Sequence, residues 1–109
     1  MKRRLTSEQV ALVAERFRAL GEPARLQLMQ ALRAGERTVG ELVEETGLGT
    51  ANVSKHLQLL HGAGFVTRRK EGLHVHYALA GEDVFLLCDM MCGRLEAEAT
   101  ARRRALSGR

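Results

Sequence analysis

The chain has 109 residues, 45% of them hydrophobic and 28% charged, with a net charge of +4. This length and balance describe one small soluble domain and exclude global disorder or a membrane-embedded bundle. Seventeen residues are basic and only three of these are lysine; arginine presents a planar fork suited to phosphate and guanine.

The start, "MKRRLTSEQVALVAERF", is basic. Glu8 and Glu15 interrupt any apolar run, so a signal peptide is not expected. No stretch is apolar enough to span a bilayer, so no membrane partner is expected. A cytoplasmic location and reduced cysteines follow from that reading. Residues 1–5 and 103–109 are expected to be flexible tails of a single domain covering 1–109.

Residues 6–20 read as a helix. Thr6 and Gln9 have capping-box spacing, and Val10, Val13, Ala14, Phe17 and Leu20 share one face. A second helix opens with Pro23 in its first turn, where the missing N–H costs nothing. Its buried stripe is expected to be Leu26, Met29 and Leu32 with Leu28 flanking, and Gly35 is its natural stop. Thr38 and Glu41 again fit a capping box, opening a short helix with Val39, Leu42 and Val43 inward and Gly47 at its end. A fourth helix starts near Gly49 or Thr50. Two short helices with a glycine-bearing turn between them form a helix-turn-helix.

The period then changes. Val75, Tyr77 and Leu79 alternate with His74, His76 and Ala78, while Val66 and Arg68 continue the pattern on the other arm. "KEG" marks the turn, where Gly72 can adopt positive φ. One hairpin is expected, leaning on the helices because a lone hairpin is marginal in water. From Gly81 helical spacing returns through Val84, Leu87, Cys88, Met91, Cys92 and Leu95. Glu82 and Asp83 suit the start of that helix, and Arg102, Arg103 and Arg104 its end.

The fourth helix carries two patterns at once. Val53, Leu57 and Leu60 form an apolar ladder, and Thr50, Asn52, Ser54 and Lys55 form a polar row. A helix face that is merely solvated mixes Glu with Lys, yet residues 49–64 contain no acid. A helix-turn-helix followed by a hairpin is a winged helix, whose second helix enters the major groove. Short donors and acceptors with one charge can read base edges and hold phosphate there. Arg68, Arg69 and Lys70 approach the hairpin tip, where a wing can reach the DNA backbone or minor groove. The expected architecture is therefore mainly α with one β-hairpin, a winged helix-turn-helix. The expected DNA-binding residues are Thr50, Asn52, Ser54, Lys55, Arg68, Arg69 and Lys70.

At these residues the sequence resembles the ArsR/SmtB family of bacterial winged-helix repressors. "FRALGEPARLQLMQAL" is similar to that family's L-G-D-P-x-R-L-x-I-L-x-x-L segment, with Pro23, Arg25 and Leu26 in register. The V-S-x-H-L-x-x-L core is Val53, Ser54, His56, Leu57 and Leu60, and the wing shows Arg69, Gly72 and Tyr77. The resemblance implies a symmetric homodimer built from the first and last helices, bound to double-stranded operator DNA and released by an inducer. It places Thr50, Ser54 and Lys55 at DNA-contacting positions. His56 is expected to pack against the turn, and His61, His74 and His76 to be surface groups.

Cys88 and Cys92 stand four apart on one helix face, with Cβ atoms roughly 6 Å apart. An intrahelical disulfide is awkward there, but two thiolates can clasp a soft ion. Equally, both fit an apolar stripe as small hydrophobes. No cofactor is required; a thiophilic ion (arsenite, cadmium or zinc) is the candidate inducer, with Cys88 and Cys92 as candidate metal ligands. The family's E-L-C-V-C-D-L box falls on residues 36–42, where Thr38 and Gly40 stand in place of its cysteines. No histidine follows His76, so the last-helix zinc pattern is absent, and the second helix lacks the cysteine of persulfide sensors. The expected function is a dimeric transcriptional repressor, derepressed by a thiophilic metal or thiol-modifying signal. The alternative is an effector-independent DNA-packing or protein-interaction module. No catalytic constellation or nucleotide-binding glycine pattern is present in the sequence, so an enzyme is not expected.

Overall fold

The computed structural model describes residues 3–108. The chain runs α1 (Ser7–Leu20), α2 (Pro23–Leu32), β1 (Arg37–Thr38), α3 (Val39–Thr46), α4 (Thr50–Gly62), β2 (Val66–Glu71), β3 (His74–Leu79) and α5 (Asp83–Leu106). This is a winged helix-turn-helix, mainly helical with a small antiparallel sheet.

Local chemistry sets the helix ends. Both expected capping boxes form: the Thr6 hydroxyl accepts from the Gln9 N–H at 3.1 Å and the Gln9 side chain accepts from the Thr6 N–H at 2.9 Å. Thr38 and Glu41 repeat this at 3.2 and 2.8 Å. Gly47 ends α3 at φ 75°, and its N–H donates to the Val43 carbonyl. That left-handed cap turns the chain through Leu48 into α4. Gly72, at φ 60°, opens the two-residue turn between β2 and β3, as Gly-first hairpin turns require.

The core joins α2, α3, α4, the sheet and the first turn of α5. It holds Leu28, Met29, Leu32, Leu42, Val53, Leu57, Leu60, Val66, Tyr77, Val84 and Phe85. The α4 ladder of Val53, Leu57 and Leu60 is wholly buried, as its spacing required. Arg33 stacks on Phe85 at 4.1 Å from the ring centroid and lies 3.9 Å from Glu82, tying α2 to the start of α5.

Three features differ from the sequence expectation. In α2 the buried face is Leu28, Met29 and Leu32, whereas Leu26 is exposed. Arg25 lies three and four residues before Leu28 and Met29, so it occupies the inward face and turns Leu26 to the edge. The hairpin gains a third strand: Arg37 pairs with Tyr77 and Thr38 with His76, giving strand order β1-β3-β2. Finally, α5 continues to Leu106, so residues 103–106 of the expected tail are helical. Of the expected tails, residues 1–2 and 109 lie outside the described part of the chain.

Much apolar surface on the outer helices stays open. Val10, Leu12, Val13 and Phe17 of α1 are exposed, as are Leu86, Leu87, Met90, Met91 and Leu95 of α5. An apolar cleft of about 640 Å³ lies between them, lined by Val13, Phe17, Leu20, Phe65, Val84 and Leu87 among others.

Candidate nucleic-acid interface

The apolar ladder holds α4 by one side and turns the other outward. Thr50, Asn52 and Lys55 are exposed and Ser54 is half-buried. Among the described residues, none of these four side chains joins the hydrogen bonds and ion pairs that occupy Arg25, Arg37 and Arg69. The helix begins at Gly49 with no side-chain cap, and its first turn carries no acid. Its leading N–H groups and their positive dipole end therefore face outward beside the polar row.

The wing divides its charges by face. Cross-strand pairing sets Arg68 beside Tyr77 and Lys70 beside Val75 on one face. Arg69, Glu71, His74 and His76 share the other. Arg68 and Lys70 are exposed and stand outside the ion pairs formed among the described residues. Arg69 differs. Its Nε donates to Glu36 at 3.1 Å, one terminal nitrogen to Glu36 at 2.7 Å, and the other to Glu71 at 2.6 Å.

Arg69 thus ties the segment before β1 to the wing. The hydrogen bonds from its guanidinium hold the Glu36 and Glu71 carboxyls below their ordinary range. The same bonds push the Arg69 value up, so it is a fixed cation. Of the three basic wing residues expected to meet DNA, Arg68 and Lys70 stand outside the ion pairs among the described residues, and Arg69 is engaged with carboxylates. Sequence reasoning missed that partner because Glu36 is 33 residues away.

The histidines also separate. His61 and His74 are exposed, and His76 is half-buried, with Nδ1 4.0 Å from Glu36. His56 is half-buried and does more than pack against the turn: its Nδ1 lies 3.1 Å from a terminal nitrogen of Arg25. That guanidinium also donates to the carbonyls of Ala19 and Arg18 at the end of α1.

Cys88 is half-buried against the core, and Cys92, one turn on, is exposed. Among the described residues no cluster of three or more His, Cys, Asp or Glu side chains is arranged to hold a metal. Cys88 and Cys92 are the two cysteines of the sequence.

The fold and this outward polar helix define a winged helix-turn-helix module. The sequence model for bacterial regulatory proteins of the arsR family matches residues 22–68. The probable mercury resistance operon repressor of Streptomyces lividans is 43% identical over 63 residues, covering 58% of this chain and 50% of that protein. The HTH-type transcriptional regulator KmtR of Mycobacterium tuberculosis is 39% identical over 80 residues, covering 73% and 62%. The solution structure of a homodimeric winged helix-turn-helix DNA-binding domain from Mycobacterium bovis, a possible ArsR-family regulator, superposes with a TM-score of 0.71. It is 32% identical and covers 88% of this chain and 91% of that one. The chain belongs to the ArsR family. It spans only half to about three fifths of the two curated relatives named. Both are named as regulators of transcription, the class expected from the sequence, and not as enzymes.

Proposed function

We propose that the chain is a dimeric, DNA-binding transcriptional repressor. The observation that carries this is the outward, acid-free face of α4, where among the described residues Thr50, Asn52, Ser54 and Lys55 join no side-chain hydrogen bond or ion pair and Arg68 and Lys70 on the wing join no ion pair. Thr50, Asn52 and Ser54 are suited to base edges and phosphate oxygens, and Lys55, Arg68 and Lys70 to the backbone. Arg69 acts on DNA through the wing it braces.

A second copy of the chain covers the open apolar side chains of α1 and α5. Two-fold pairing would present two α4 helices to half-sites about 34–36 Å apart. The named relatives support this reading: one is named a probable repressor and another a homodimeric DNA-binding domain.

The test is selection of bound duplexes from random DNA. A repressor should recover a near-palindromic site and prefer it to random duplex by about 10³-fold or more. Steep salt dependence without that preference would instead mark a DNA-packing protein.

Cys88 and Cys92 are the proposed inducer-sensing pair. Four-residue spacing on one helix face suits capture of a soft ion by two thiolates, and one relative is named for mercury resistance. When bound, the ion would draw both thiols together at the point where α5 leaves the core. Reduced protein titrated with mercuric ion, arsenite, cadmium and zinc should show a thiolate-to-metal absorbance and release from the selected duplex. Unchanged absorbance and affinity would remove sensing and leave two packing cysteines.

A further inference from the structure

One guanidinium joins three helices. Arg25 belongs to the first turn of α2, and its inward position places it between the end of α1 and the middle of α4. Its Nε donates to the Ala19 carbonyl, one terminal nitrogen donates to the Arg18 carbonyl at 3.2 Å, and the other lies 3.1 Å from His56 Nδ1. The carbonyls belong to the last turn of α1, whose negative dipole end favours a cation; that of Arg18 also accepts the Gly21 N–H. His56 sits in the second turn of α4, directly after Lys55.

Arginine has donors and no acceptor. His56 Nδ1 must therefore accept, which puts the proton of the neutral ring on Nε2. Val53, Leu57 and Leu60 already fix α4 against the core. Apolar burial is non-directional, however, and leaves a helix some freedom to roll over its contact. A hydrogen bond is directional, and this one is set on the flank of the polar row. The other end of the same side chain grips α1, whose exposed Val13 and Phe17 belong to the proposed dimer surface.

We propose that Arg25 and His56 are a positioning couple that fixes the roll of α4 relative to α1, and so sets how the polar row meets base edges. This rests on the DNA-binding reading above. It predicts that the couple governs specific binding and leaves sequence-independent binding alone, because phosphate contacts tolerate a rotated helix better than base contacts do.

The test uses two His56 variants of the full chain. Asparagine carries an amide atom where Nδ1 was; glutamine carries one where Nε2 was. His56→Asn should bind the selected duplex nearly as the wild type does. His56→Gln should lose about tenfold in affinity for the selected duplex, the size of one misread base pair. Both should bind random duplex like the wild type. Arg25→Lys, with one nitrogen in place of a three-pronged fork, should lose as much as His56→Gln. The double variant should lose no more than either single one, as expected for one shared interaction.

Equal specific affinity in the Asn and Gln variants overturns the proposal. So does a loss shared equally by random duplex and thermal stability. Nitrogen-15 shifts of the His56 ring, measured in alkaline buffer without DNA, form a separate arm: a proton on Nδ1 would break the couple whatever DNA does. A protein that selects no duplex but shows the proton on Nε2 would instead sink the functional reading and keep the couple.

Discussion

Replacing Phe17 by Asp should dissociate the dimer and leave the protomer folded. Phe17 lies outside the protomer core and is 57% exposed. A buried aromatic side chain removes about 200 Å² from water, so the open part of Phe17 is about 110 Å². Covered by a partner, that area contributes about 3 kcal/mol per protomer and about 6 kcal/mol to a two-fold pair. Six kcal/mol corresponds to about four powers of ten in dissociation constant. The unpaired carboxylate weakens the pair further, since a buried charge without a partner is costly. Sedimentation over a concentration series measures the constant, and far-ultraviolet circular dichroism confirms the fold. A dimer of undiminished affinity would refute the placement of the interface on α1.

Lys55→Ala should weaken binding uniformly across duplex sequences and reduce the slope of log affinity against log salt by about one; an unchanged slope removes Lys55 from the phosphate contacts. Leu57→Ala empties a wholly buried position beneath the polar row and should cost about 2–5 kcal/mol, read as a lower denaturant midpoint. The wing clamp should depend on pH. The Glu36 and Glu71 values are lowered by Arg69, so their stabilisation is present above the ordinary carboxylate value and is lost as pH falls through the lowered one. Wild type and Arg69→Ala should therefore differ by a constant amount near neutrality and converge below about pH 4. Parallel denaturation curves down to acid would show that the clamp contributes nothing.

What the sequence made legible was local. The Thr6–Gln9 and Thr38–Glu41 boxes, the left-handed Gly47 and the Gly72 turn each need only a few neighbouring residues, and all formed. The ladder of Val53, Leu57 and Leu60 was readable because a single period covers one helix face. The features that escaped are those that distant segments decide. The two-residue strand β1 has no period of its own and exists only because β3 offers an edge. Leu26 and Leu28 exchange roles because Arg25 claims the inward face, and its partner His56 is 31 residues away. The polar row was legible in identity, whereas the engagement of Arg69 depended on a carboxylate beyond any local window. On α5 the spacing found Val84 but not Phe85, which also enters the core and carries the Arg33 guanidinium on its ring.

The length of α5 carries one more consequence. Every residue from Asp89 to Ala99 is exposed, and the molecule measures 62 Å along its longest axis. The segment "LEAEATARRRAL" is rich in good helix formers, yet a helix of that length is marginal in water when nothing supports it. If the proposed pairing covers α5, association stabilises this arm, so that its ordering and the pairing are linked equilibria. Helicity should then rise with protein concentration, making the arm a gauge of how many copies are present.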